Sequence, residues 1–554
     1  MKNASVEKYL SNLSPTAASD YSLWKATKKF NRPQISHAPI RKGNGEWARN
    51  DQDKANLFAD HLKNVFQPWP ATSATSVISA PVQSPQATSV KRFKLNELIN
   101  VIMDEINTKK APGWDLITGR ILRELSAKCC FRLLMIFNAT LKLGYYPLQW
   151  KVAQVVMVPK PGRNAEEVTS YRPISLLPVF SKVFEKLFMK RLRPMIAKKN
   201  LIPSHQFGFR EEHGTVEQVH RLVNEVQLAF EKKQYCSALF ADVSQAFDKT
   251  WHEGLIHKLR SHLSSGYSDI LESFLKDRTF YIKQGSEQTD LCPVSSGVPQ
   301  GSVLGPLLYL IYTADLPTPS SVFTATFADD TVILATGDTA EAASQCLQKA
   351  ITELERWLSD WRIKVNETKS IHMTFALRRG NCPPVRLNNV EVPHSDTAKY
   401  LGMHLDRRLT WRPHIWTKRK QLSLKVRSLY WLLNNRSSMT TQNKLLVYKM
   451  ILKPVWSYGI QLWGTAAKSH TCIMQRFQNK MLRLVLGAPW YVPEFLLHQD
   501  LNMPTVEEEI RRHCTSYCAR LMVHPNQLAG ELAMDTGEER RLKRLRPSDL
   551  FNYA

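Results

Sequence analysis

Two adjacent carboxylates, Asp329 and Asp330, stand in the stretch T-F-A-D-D-T-V from Thr326 to Val332, between the apolar, β-prone runs Val322 to Phe327 and Thr331 to Ala335. Two such runs around a short polar step write a tight hairpin with acids at its tip. Adjacent acids repel unless a cation lies beside them, and hard carboxylate oxygens suit Mg²⁺, which is typically held by one or two carboxylates plus substrate phosphates. A solvated Asp-Asp turn is the competing reading, because Asp is a common turn residue. The metal reading needs a third acid, and L-F-A-D-V-S-Q-A-F-D from Leu239 to Asp248 offers Asp242 at the end of a short apolar run, as a strand delivering a carboxylate would. Asp242 with Asp329 or Asp330 would then supply bridging oxygens to two metals, one activating an attacking hydroxyl and one steadying the leaving oxygens of an in-line displacement.

Two further strings, S-G-V-P-Q-G-S-V-L-G-P at Ser296 to Pro306 and Y-R-P-I-S-L-L at Tyr171 to Leu177, complete a set of four motifs. In this order and spacing they resemble reverse transcriptases, and more narrowly those of jockey-like non-LTR retrotransposons, from about Ser22 to about Leu550. The resemblance implies an RNA-directed DNA polymerase with an α/β (α+β) right-hand fold of fingers, palm and thumb, plus a helical C-terminal extension. It implies an RNA template, a DNA primer and deoxynucleoside triphosphates as partners, and two Mg²⁺ ions, replaceable by Mn²⁺, on Asp242, Asp329 and Asp330.

It also implies roles for single residues. Arg172 and Lys160 would meet the incoming triphosphate, where Arg clamps phosphate oxygens bidentately and Lys acts as a point charge. Phe247, five residues after Asp242, would stack under the sugar and exclude a 2′-hydroxyl. Gln300 would lie near the incoming nucleotide and template base, and Lys369 would protonate departing pyrophosphate, help typically worth about 10²- to 10⁴-fold. Asp248 is not expected to bind metal. Without the resemblance, Arg172, Lys160 and Lys369 read as surface charge, Phe247 as a core ring and Pro-Gln-Gly as a turn. Gly297, Gly301 and Gly305 would let backbone approach a ligand closely.

These residues need elements to hold them. Val152 to Val158 reads as a strand, Val179 to Leu192 as an amphipathic helix, and Gln206 to Arg210, Q-F-G-F-R, as a turn with a basic end. Cys346, Leu347, Ala350, Ile351, Leu354, Leu358 and Trp361 recur at helical spacing, which predicts a helix packed beneath the palm sheet. Lys399 to Asp406 alternates like a strand and resembles the primer-gripping hairpin. Trp416 to Tyr430 carries five cations among leucines, so one helix face would pack and the other meet phosphate.

The division expected is an N-terminal connector at 1–66 with a helix around Asp53 to Phe66, a flexible, uncharged linker at 67–90, fingers at 91–235, palm at 236–406 and thumb with extension at 407–554. The reverse transcriptase domain as a whole would run over about 140–406. The connector resembles the segment that follows an endonuclease in jockey-like polyproteins, and about 90 residues before the fingers leave no room for one.

At 554 residues the chain is too long for one compact core. Its formal net charge of +26 implies an anionic partner, and nucleic acid fits better than a membrane surface. Nine scattered cysteines read as reduced thiols, which together with the absence of an apolar leader or of the roughly 18 to 20 apolar residues of a membrane helix points to a nuclear and/or cytoplasmic protein, neither secreted nor membrane-spanning. His513, Cys514 and Cys518, with His524 beyond, lack the spacing of a closed zinc site. Arg540 to Arg546, with five cations in seven residues, reads as a nucleic-acid or nuclear-targeting patch. The alternative from another class is a catalytically silent, nucleic-acid-binding retrotransposon remnant.

Overall fold

The computed structural model describes residues 2–28, 38–71, 89–534 and 540–551. Its centre is a four-stranded antiparallel sheet. With strands numbered along the chain, β1 is Val152–Pro159, β2 Tyr171–Leu176, β3 Tyr235–Ala241, β4 Arg278–Gln284, β5 Phe323–Phe327, β6 Asp330–Gly337 and β7 Ile371–Phe375. The central sheet has the order β7-β3-β6-β5.

The apolar run of β3 is continuous because both faces of this sheet are covered, and side chains alternate between them. Leu239 and Ala241 of β3 join Ile333 and Ala335 of β6 in one core with Leu347, Ile351 and Leu354 of the Ala340–Asp360 helix. Cys236, Ala238 and Phe240 join Val332, Leu334, Met373 and Phe375 in a second core with Val219, Val223 and Val226 of the Thr215–Glu231 helix. The second core continues into the C-terminal helices and takes in Leu10, Leu13 and Leu23 from the start of the chain.

A second sheet holds β2-β1-β4, with β1 parallel to β4, and the short strands Glu287–Gln288 and Cys292–Val294. The Asp51–Val65 helix covers it, starting where the Asn50 side chain accepts from the Asp53 N–H. Phe58 meets Tyr171 edge-on at 4.9 Å, and Phe66 meets Phe280 at 5.2 Å. The stretch that follows is attached at its start: Lys249 Nζ donates to the Gln67 carbonyl (2.8 Å) and lies 4.5 Å from the centre of the Trp69 ring. Most of the expected linker, residues 72–88, lies outside the described residues.

The helix expected at 179–192 runs over Val179–Lys198, and the basic one over Arg412–Leu433, after the hairpin Thr397–Tyr400 and Met403–Asp406. All nine cysteines are free. No described helix is long and apolar enough to cross a membrane.

Candidate active site

β5 and β6 form the expected hairpin, with Phe327 paired to Asp330 and only Ala328 and Asp329 between them. Such two-residue connections need a left-handed residue to match the strand twist. Here Ala328 adopts φ 58°, which for an L side chain costs on the order of 1 to 2 kcal/mol. Something must hold it there.

That support is Q-F-G-F-R. Gln206 Oε1 accepts from the Ala328 N–H and from the Gly208 N–H, both at 2.8 Å, and Nε2 donates to the Ala328 carbonyl at 3.4 Å. The Phe207 N–H donates to the Thr326 carbonyl (3.0 Å) and the Thr326 N–H to the His205 carbonyl (3.2 Å), so this segment occupies the open edge of β5. A Cβ on Gly208 would stand 2.2 Å from the Ala328 nitrogen. The segment read as a turn with a basic end is therefore a buttress, and Arg210 Nη1 turns back onto the Pro203 and Gln206 carbonyls (3.1 Å each).

β6 pairs with β3 through Thr331 and Ala241, so the next residues along the register, Asp330 and Asp242, stand opposite one another at the same end of the sheet. The Asp242 N–H donates to Ser370 Oγ (3.1 Å), and its carbonyl accepts from the Asn366 N–H (2.8 Å). Burial raises the Asp329 carboxyl above its usual range, and the charge of Asp242 adds to this while Arg172 opposes it. Asp330 is pushed up to about 6 by burial and then by Asp329 and Asp242.

This is an anionic corner short of positive charge, with the hard oxygen donors a divalent cation prefers. The closed cage is not formed, however: among the described residues no three His, Cys, Asp or Glu side chains are gathered closely enough to hold a metal ion. The donor chemistry fits the metal; the ligand geometry is that of neighbours.

On the nucleotide side, Arg172 lies on β2 and is exposed, near enough for its charge to act on Asp329. Burial, and after it the charges of Arg172, Arg163 and Lys369, lower the affinity of Lys160 for a proton, while Asp248 opposes them. Its Nζ donates to the Thr169 carbonyl (2.8 Å). Exposed Lys369 therefore belongs to this cationic rim. Phe247 is half-buried, stacked on Tyr309 at 4.5 Å and edge-on to Phe209 at 5.6 Å.

Gln300 Nε2 donates to Asp248 Oδ1 (2.8 Å), and its backbone carbonyl accepts from the Ser175 N–H (2.9 Å). Asp248 thus positions Gln300, a link across 52 residues that no local pattern reveals. Two glycines of this loop admit close approach of the protein's own backbone. A Cβ on Gly297 would lie 2.6 Å from the Asp248 carbonyl oxygen, and one on Gly301 2.4 Å from that of Ser175. Gly305 opens the Gly305–Tyr312 helix. Buried Glu185 pins the loop from below by accepting from the Val303 (2.7 Å) and Leu304 (3.1 Å) N–H groups.

The sequence reading thus named the acids and the cations that the fold brings together. It missed Gln206, Gly208 and Glu185; the contacts by which Gln206 reaches Ala328 and Glu185 reaches Val303 span 122 and 118 residues of chain.

Residues 158–405 match the reverse transcriptase (RNA-dependent DNA polymerase) family. The chain is 40% identical over 562 residues to the probable RNA-directed DNA polymerase from transposon X-element of Drosophila melanogaster, covering 100% of this chain and 62% of that protein. It is 37% identical over 573 residues to the RNA-directed DNA polymerase from mobile element jockey of the same species, again covering 100% of this chain and 62% of the relative. A putative 115 kDa protein of the type-1 retrotransposable element R1DM is 26% identical over 450 residues, or 80% of this chain and 42% of that protein. The chain therefore spans about 62% of the length of its X-element and jockey relatives. With its acidic hairpin on the central antiparallel sheet, the segment 158–405 is a domain of the reverse transcriptase family, and the chain as a whole is similar to the RNA-directed DNA polymerases of mobile elements that include jockey.

Proposed function

We propose that this chain is an RNA-directed DNA polymerase that extends a DNA 3′-hydroxyl along an RNA template. The observation that carries the reading is the β3-β6 register, which sets Asp242 against Asp330 beside Asp329, at the end of the sheet that the cationic rim of Arg172, Lys160 and Lys369 faces. Asp242, Asp329 and Asp330 would hold Mg²⁺, two ions in all with Mn²⁺ as a substitute, together with phosphate oxygens of the substrate. When bound, the metal supplies charge for the attacking and leaving oxygens.

The chain's own residues do the positioning. Arg172 and Lys160 offset the triphosphate's charge, Phe247 on its Tyr309 platform bars a 2′-hydroxyl, and Gln300 orients the nucleotide. The primer 3′-oxygen forms a new bond to the α-phosphorus as the α–β phosphoanhydride bond breaks, and Lys369 donates a proton to the departing pyrophosphate. Such transfers depend mostly on positioning and electrostatic stabilisation. In this reading 91–235 are fingers, 236–406 palm and 407–554 thumb with its extension, preceded by a connector at 1–66. The reaction takes place in the nucleus and/or cytoplasm.

Primer extension tests this: purified protein, a DNA primer annealed to RNA, deoxynucleotides and Mg²⁺, with Asp329→Asn and a metal-free reaction alongside. We expect extension to need the metal and to fall at least about a hundredfold in Asp329→Asn, with primed-template affinity little changed. Equal activity in the variant would sink the site assignment. A folded chain that binds primed RNA without extending it would favour the binding remnant.

A further inference from the structure

The second side of the Q-F-G-F-R buttress rests on the C-terminal extension. Phe207 is fully buried in a small core of its own with Tyr517 and Leu521 of the Val506–Met522 helix, and with Ala529 and Leu532 beyond it. The two ends of the segment are pinned to the same region. Asn526 Nδ2 donates to the Ser204 carbonyl (2.8 Å) and lies 3.1 Å from His213 Nε2, and His524 Nε2 lies 2.9 Å from the Glu212 carbonyl oxygen.

The His213 and His524 rings pack at 4.8 Å, with Phe207 4.9 Å from His213. Burial lowers the His213 pKa to about 4, so this ring is neutral near pH 7 and can accept the Asn526 N–H. The Arg221 guanidinium sits 5.3 Å from the Phe207 ring and 5.0 Å from that of Phe323 in β5, closing the gap between buttress and strand. One unbroken line of contacts thus runs from residues 517–532 through 204–213 to the left-handed Ala328 next to Asp329.

We propose that the C-terminal extension clamps the acidic hairpin through Gln206 and Phe207, making Gln206, Phe207, His524 and Asn526 positioning residues of the polymerase site. The clamp rests on the proposed polymerase reading for its consequence, but not for its existence. A strained two-residue turn at a sheet edge relaxes unless its surroundings over-determine it. Here the surroundings come from segments more than 300 residues apart in the chain, so the carboxylates reach their working placement only when the extension is docked. Misplacing reacting groups by about 1 Å can cost about a hundredfold in rate.

The test uses the full chain with Gln206→Ala, the remote pair His524→Ala and Asn526→Ala, and Gln206→Ala combined with Ala328→Gly. Hydrogen exchange is followed at Ala328 to Thr331 and, for comparison, in β7 at the far edge of the sheet. We expect exchange at the hairpin to quicken about tenfold or more in both the Gln206 and the 524/526 variants, with β7 unchanged. In primer extension kcat falls about tenfold to a hundredfold, while KM for deoxynucleotides and affinity for primed template stay within about twofold. Ala328→Gly, which no longer has to be held, shrinks the Gln206→Ala loss. Unchanged hairpin exchange, equal loosening of β7, or the same Gln206→Ala loss in both backgrounds would overturn the clamp. If the unaltered chain extends no primer while the exchange responds as expected, the polymerase reading falls and the clamp stands.

Discussion

At the scale of single residues, buried Asp248 serves the candidate site by holding Gln300. A carboxylate only accepts hydrogen bonds, so its contact with Gln300 fixes which end of the amide faces inward and leaves Gln300 Oε1 for another donor. Burial pushes the Asp248 carboxyl up to about 6, against the pull of Gln300, Lys160 and Lys249. An unfolded Asp titrates near about 3.9. The folded chain therefore holds this proton more tightly than the unfolded one, and the stability it contributes is complete below about pH 4 and lost as pH rises through about 6. Replacing Asp248 with Asn removes the titration. From pH 4 to 7 the unaltered protein should lose about 2 to 3 kcal/mol relative to the variant, a figure that follows from roughly two pKa units at 1.36 kcal/mol each. Denaturant midpoints across that range would check it, and parallel pH profiles would show that another group titrates.

At the scale of elements, two glycines with positive φ should behave differently when given a side chain. Gly162 has φ 74° and open space where a Cβ would go, so Gly162→Ala should cost only the left-handed backbone penalty of about 1 kcal/mol. Gly301 has φ 133°, and its Cβ would meet the Ser175 carbonyl oxygen at 2.4 Å. Gly301→Ala should therefore displace the loop that carries Gln300, cost at least about 2 to 3 kcal/mol and raise KM for deoxynucleotides. Thermal midpoints and nucleotide titrations of the two variants would separate these outcomes. The same contrast explains what was legible beforehand. The hairpin, β3 and the Ala340–Asp360 helix could be read because their apolar periods are local and long enough to distinguish period 2 from period 3.6. Q-F-G-F-R could not, because its regularity lies in its partner: it borrows the edge of a strand some 120 residues away, and nothing within five residues records that.

At the scale of the whole molecule, a net charge of +26 says that an anion binds but not where. Two basic stretches looked alike in sequence, and the fold separates them. Around Arg540 to Arg546 three of the five cations are engaged: Arg546 Nη2 pairs with Glu231 Oε1 at 3.0 Å, Arg540 Nη1 with Asp549 at 2.8 Å, and Arg541 Nε donates to the Glu231 carbonyl at 3.0 Å. The contacts of Arg546 and Arg541 fasten the tail to the Thr215–Glu231 helix. On the Arg412–Leu433 helix, Lys418 and Arg419 lie against the Tyr458 and Phe477 rings, while Lys420 and Arg427 point outward. Each phosphate contact releases condensed counterions and adds about 0.7 to 0.9 to the slope of log affinity against log salt. Replacing Lys420 and Arg427 together with Ala should therefore flatten that slope for primed RNA by about 1.4 to 1.8 and leave kcat at saturating template unchanged. Arg546→Ala should leave the slope alone and lower the unfolding midpoint, because it removes a partner from Glu231. Binding isotherms at four or five salt concentrations decide the matter. A slope that responds to Arg546 and not to the helix pair would move the nucleic-acid path from the Arg412–Leu433 helix to the C-terminal tail.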